Sequence, residues 1–187
     1  MLNMHATTIV VCAVAAAGCL LSVGAAQGRP PGEAAPDFNV KANDGKTYTL
    51  ASVTKKGPAV LYFIKTGCPT NDQAIKYYIR IANAYKGAKV PFIGVINANL
   101  DGFKAWNAGF KVPFPVLLDP DETIIKSWKA QRSPWVIMVG KDKKIMKEWT
   151  GYSSPYLKEL GELIAKNSGV KAKTCDFSGS PTNPRPG

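Results

Sequence analysis

The chain has 187 residues, 45% of them hydrophobic, and 24 Lys and Arg against 13 Asp and Glu give a net charge of +11. That is enough apolar material for one ordinary domain with a real core, and the scattered lysines, with no basic helix, argue for a solvated basic surface facing an anionic cell envelope and against a nucleic-acid partner. The single histidine, His5, falls in an N-terminal segment expected to be removed or membrane-embedded; this excludes a Ser-His-Asp hydrolase, a Cys-His protease, a His-ligated zinc site and covalent c-type haem.

Residues 1–27 carry no Asp, Glu, Lys or Arg and close on Val23-Gly-Ala-Ala-Gln27, the small-residue pattern of a signal-peptidase site. They are expected to be an export signal. An uncleaved membrane anchor is the alternative, because the apolar run is long and no basic residue precedes it. Ala16-Ala-Gly-Cys19 loosely resembles a lipobox, which would attach the chain to a membrane through lipid. Export leaves Cys68 and Cys175 in a compartment that permits disulfides.

Residues 28–34 are expected as a flexible tether, residues 35–170 as the domain, and residues 171–187, rich in Ser, Pro and Gly, as a disordered tail. Within the domain, a hairpin is expected around Asn43-Asp-Gly45 leading into Thr47–Leu50, then a buried strand over Ala59–Ile64. The spacing of Ile75, Tyr78, Ile79 and Ala82 predicts a helix over 69–86. A second buried strand follows at Val90–Ile96, a short helix at Leu100–Phe110, and a short strand at Pro115–Leu118. A helix over Glu122–Ala130 would pack Ile124, Ile125 and Trp128. Strands at Trp135–Val139 and Lys144–Trp149 would pair across Gly140–Lys143. A last helix begins at Ser154-Pro155, turns Leu157, Leu160 and Ile164 inward, and stops at Gly169. This order predicts an α/β fold, a mixed central sheet with helices on both faces.

The most informative stretch is Ala59-Val-Leu-Tyr-Phe-Ile-Lys-Thr-Gly-Cys68-Pro-Thr-Asn71. A strand runs into a Thr-Gly turn, then a cysteine, then a proline suited to the first turn of a helix. Unpaired backbone N–H groups and the positive end of the helix dipole favour a thiolate at such a position. No second cysteine stands three residues on, where Asn71 lies, so any partner thiol must come from elsewhere. Asn71 itself either hydrogen-bonds near the sulfur or caps the helix.

With these residues in hand, the chain resembles the redoxin superfamily of thioredoxin-like proteins, the alkyl hydroperoxide reductase and thiol-specific antioxidant group. Ala35-Pro-Asp-Phe38 with its hairpin, the strand into Thr66-Gly-Cys68-Pro69, and Arg132-Ser-Pro134-Trp-Val-Ile carry the resemblance. It implies a thioredoxin-like fold, Cys68 as nucleophile, and Arg132, Thr66 and Pro134 shaping its pocket, with Pro134 as a cis-proline. Lys65, Pro69, Thr70, Asn71 and Trp135 would complete the surroundings. The chain departs from the family at Leu61 and Lys65, where peroxiredoxins usually have proline and threonine, and at Asn71, where thioredoxins have their second cysteine. Cys68-Pro69-Thr70 matches the reactive segment of two-cysteine peroxiredoxins.

A thiolate can attack a peroxide to give a sulfenic acid, which another thiol condenses to a disulfide. It can also attack a disulfide, and an external thiol then releases the mixed disulfide. Peroxide reduction is the first expectation, with one-thiol exchange with envelope proteins and a catalytically silent binding module as alternatives. The partners expected are a peroxide or protein disulfide and an external thiol reductant; no cofactor and no metal are expected. Cys175 is the candidate resolver, its other fates being a disulfide to Cys68 that disables the site and an incidental thiol. Asp119, Asp121 and Glu122 read as turn and helix-terminal acids.

Overall fold

A computed structural model describes residues 28–187. The expected export signal or anchor at 1–27 lies outside the described residues. Two short strands, β1 (Asn39–Lys41) and β2 (Thr47–Thr49), form the antiparallel hairpin expected around Asn43-Asp-Gly45. A helical turn that the spacing of apolar residues did not reveal, α1 (Leu50–Thr54), follows directly. Thr49 and Ser52 start it as a reciprocal capping box.

The main sheet has five strands in the order β5-β4-β3-β6-β7. At its centre lies β3 (Ala59–Ile64), with all six residues buried. It is parallel to β4 (Phe92–Ile96) and antiparallel to β6 (Trp135–Val139). The outer strands are β5 (Val116–Leu118), parallel to β4, and β7 (Ile145–Thr150), antiparallel to β6. The sheet is therefore mixed, as expected. A strand buried on both faces must be apolar at every position, and the uninterrupted run of β3 meets that demand.

Alternation along the strands divides the core into two layers. Val60, Tyr62 and Ile64 of β3, with Val136 and Met138 of β6, pack under α2 (Pro69–Ala84) and α5 (Ser154–Ser168). Leu61, Phe63, Trp135 and Ile137 pack against Trp128, Ile124 and Ile125, around α1 and α4 (Thr123–Ser127), on the other face. The helix α3 (Leu100–Asn107) joins the first layer through Phe103. Both α3 and α4 are shorter than expected. At its start α4 meets Glu122, whose left-handed backbone (φ 56°) cannot continue a helix.

Two segments differ from expectation. Residues 28–34, expected as a tether, lie along β7: Gly32 N donates to Ile145 O and Ile145 N to Glu33 O. They cover a sheet edge whose backbone groups would otherwise face water. Residues 171–187, expected as a disordered tail, are laid over α2 and α5, with Cys175 and Phe177 packed on the first core layer. Their backbone groups find partners in residues remote in sequence.

Candidate functional site

The carboxyl end of β3 is where the sheet changes direction, with parallel β4 on one side and antiparallel β6 on the other. Lys65, Thr66 and Gly67 carry the chain out of β3, and Gly67 takes a left-handed backbone (φ 75°) that a side chain would resist. Cys68 is then the N-cap of α2, in extended conformation, and Pro69 occupies the first turn.

The Cys68 thiol is partly buried and donates from Sγ to the Ser133 carbonyl oxygen at 3.2 Å. The Ser133–Pro134 peptide is cis, as the sequence led us to expect. The Ser133 side chain ties the same loop to β3 and α2. Its Oγ lies 3.0 Å from both the Phe63 carbonyl and Asn71 Oδ1, and it accepts from Lys65 N at 3.2 Å.

Asn71 is fully buried and does not cap the helix through its side chain; of the two roles expected for it, it takes the one near the sulfur, through Ser133, whose carbonyl accepts from Cys68. Its Oδ1 accepts from the Tyr62 hydroxyl at 2.5 Å and faces Ser133 Oγ, while its amide donates to Asp72 Oδ1 at 3.3 Å. Where a thioredoxin has a second thiol, this chain has the hub of a buried network joining β3, α2 and the proline loop. Burial pushes the Tyr62 phenol well above its ordinary value, with Tyr78 and Asp72 adding to the effect, so it remains a neutral donor.

Thr66 is held away from the network: its N–H and hydroxyl both point to Asn97 Oδ1, at 2.8 and 3.2 Å. Arg132 is exposed and, among the described residues, forms no hydrogen bond or ion pair. It borders a small cavity of about 10 Å³ with Lys65, Asn97, Glu122 and Ser133. Lys65 and Pro69 are exposed and Thr70 is half-buried. Trp135, considered a neighbour of Cys68, points into the opposite core layer, because odd-numbered residues of β6 face α1 and α4.

Cys175 is not brought to Cys68, and both thiols are free. It lies against α5, lining a cavity of about 250 Å³ with Leu157, Lys158, Gly161 and Phe177. The neighbouring Asp176 is bound by Arg80. Arg80 stands three turns along α2 from Cys68, about 18 Å at 1.5 Å per residue, so a disulfide would require the tail to move. Burial pushes the Cys175 thiol up and the Arg80 guanidinium pulls it down by less.

Tyr62, Ser133 and Asn97 were not singled out as site residues from the sequence. Asn71 did carry a signal. It shares the spacing of Ala74, Ile75 and Tyr78, and a polar residue on the buried face of a helix needs a buried partner. Among the described residues no group of three or more His, Cys, Asp or Glu could hold a metal ion.

Residues 31–156 match the sequence model of the AhpC/TSA family. A chloroplastic peroxiredoxin Q of Triticum aestivum is 30% identical over 106 residues, which cover 52% of this chain and 45% of that protein. The chain thus spans about half the length of the curated relatives it matches. Among solved structures, a candidate protein disulfide isomerase of Bacteroides thetaiotaomicron superposes with a TM-score of 0.68 at 23% identity, over 75% of this chain and 91% of its own. The thioredoxin domain of a thiol-disulfide oxidoreductase of Bacteroides vulgatus gives 0.63 at 18%, over 73% and 99%. The fold is thioredoxin-like.

Proposed function

This chain belongs to the AhpC/TSA family, and from that premise we propose that it is an exported thiol peroxidase in which Cys68 is the nucleophilic thiol. The observation that carries the reading is the pairing of a partly buried Cys68 at the start of α2 with a fully buried, hydrogen-bonded Asn71 in place of a second cysteine. A disulfide within the motif is chemically unavailable, so a reaction that needs only one thiol at the site fits best.

In the proposed step the Cys68 thiolate attacks one peroxide oxygen, the O–O bond breaks, and the leaving oxygen departs with the electron pair and takes a proton. Cys68 becomes a sulfenic acid as the peroxide is reduced to water or an alcohol. An external thiol then condenses with the sulfenic acid, releasing water, and a second thiol reduces the resulting disulfide. Arg132 and Lys65 supply positive charge near the leaving oxygen. Export is supported by the uncharged, apolar residues 1–27.

The test is hydrogen peroxide added to the reduced full chain, with oxidation at Cys68 followed by mass spectrometry. Sulfenic acid at Cys68, absent in Cys68→Ser and formed about 10²-fold more slowly in Arg132→Ala, is the expected result; that factor is the scale of removing one electrostatic stabiliser. If Cys68 resists peroxide but forms a mixed disulfide with a peptide disulfide, the protein is a one-thiol exchange protein and the peroxidase reading fails. If it resists both until unfolded, no thiol activity belongs to it.

A further inference from the structure

The residues after α5 lead back to Cys68. Lys173 N donates to the Tyr85 hydroxyl at 2.8 Å, the Arg80 guanidinium donates to the Asp176 carbonyl at 2.6 Å, and the Tyr77 hydroxyl donates to the Ser178 carbonyl at 3.0 Å. Beyond a turn, Ser154 N donates to the Pro181 carbonyl at 2.8 Å. Arg185 and Tyr152 then exchange two backbone hydrogen bonds, at 2.9 and 3.1 Å, and Arg185 Nη1 donates to Gln73 Oε1 at 3.1 Å. Tyr85, Arg80, Tyr77 and Gln73 descend α2 towards its N-terminus, so the segment runs antiparallel to the helix and arrives at the thiol. A Cβ placed on Gly187 would collide with the Ser133 carbonyl oxygen and stand 2.9 Å from Cys68 Sγ.

The approach is close at its middle as well. Gly151 has a φ of 81°, and a Cβ there would stand 2.5 Å from the Arg185 carbonyl oxygen and 2.9 Å from Pro186 N. Only glycine at 151 lets the two backbones meet in this way. The anchoring is uneven along the segment. Cys175 and Phe177 are packed on the core, whereas residues 182–187 are all exposed and are held by polar contacts alone. A stretch with exposed hydrogen bonds and no buried apolar side chain opens at a low free energy while its anchor stays in place.

We propose that residues 181–187 form a strap that occupies the groove beside Cys68 and gates the thiol, so that an oxidant or partner reaches Cys68 only in molecules whose strap has lifted. The strap hinges between Phe177 and Pro181. It acts on access alone and is therefore independent of which oxidant Cys68 meets.

The test is the rate of alkylation of Cys68 and of Cys175 by iodoacetamide, resolved by peptide mass spectrometry, in the full chain, in Gly187→Ala and in a chain ending at Pro181. A strap closed nine-tenths of the time holds Cys68 to about a tenth of its open rate. Both variants are expected to raise the Cys68 rate about tenfold and to leave the Cys175 rate unchanged. An unchanged or slower Cys68 rate in either folded variant, or an equal rise at Cys175 that signals general loosening, overturns the strap. Should the shortened chain fail to fold, Gly187→Ala decides alone, as it changes one exposed residue. Because iodoacetamide replaces the peroxide, failure here leaves the peroxidase reading standing, and the converse also holds.

Discussion

Asn71 shows how a single polar side chain can organise a site without touching the reacting atom. Its Oδ1 satisfies the buried Tyr62 hydroxyl and faces Ser133, whose carbonyl accepts from Cys68. Asn71→Ala leaves Tyr62 with a buried, unpaired hydroxyl, whereas Ser133 keeps the Phe63 carbonyl. Urea unfolding should show a loss of about 1–3 kcal/mol, the cost of one unsatisfied buried polar group. Adding Tyr62→Phe removes the orphaned hydroxyl, so the double variant should cost less than the sum of the single ones.

Cys175 is the second residue whose behaviour follows from its surroundings. Burial favours its neutral form, so the folded thiol holds its proton to higher pH than the unfolded one. The stability this contributes is complete below the unfolded thiol range and is lost as pH rises through the folded value. Alkylation of native Cys175 should therefore reach half its maximal rate at a more alkaline pH than in urea. Coincident profiles would contradict the burial.

At the scale of elements, α4 depends on a carboxylate outside its own span. Asp119, 4% exposed, accepts from Ile124 N at 3.1 Å and Ile125 N at 2.9 Å, which satisfies two donors that the first turn leaves free. Asp119→Ala should cost about 1–2 kcal/mol in chemical denaturation, the upper range for loss of a helix cap. Asp119→Asn, which keeps one acceptor, should lose only part of that. The strands and long helices were legible because their signals are local. The unbroken apolar run of β3, the Ile75–Tyr78–Ile79 spacing of α2 and the Ser154-Pro155 start of α5, whose cap the structure moves one residue back to Ser153, each fix an element without remote help. What the pattern missed, α1 and the shortness of α4, rests on a capping box in a weakly apolar segment and on the left-handed backbones at Glu122 and Lys129, which bound α4 on either side.

At the scale of the whole molecule, the layers decide which side chains share a space. Pro134 and Trp135 are adjacent in sequence, yet the pleat of β6 sends Trp135 to the layer away from Cys68. The order of residues 171–187 has the same origin. Their composition alone predicts disorder, but Tyr77, Arg80, Tyr85 and Tyr152 supply partners that no local pattern connects to them. By itself the sequence determined the order of elements, the α/β class, the position of Cys68 at a strand-to-helix turn and the absence of a second thiol at Asn71, because each depends on neighbours within a few residues. Only the tertiary structure decided that Asn71 is a buried hub, that Cys175 lies far from Cys68, and that residues 181–187 return alongside the thiol. Those facts depend on groups some 60 to 120 residues apart, for which the packing of helices and tail on the open five-stranded sheet sets the distances.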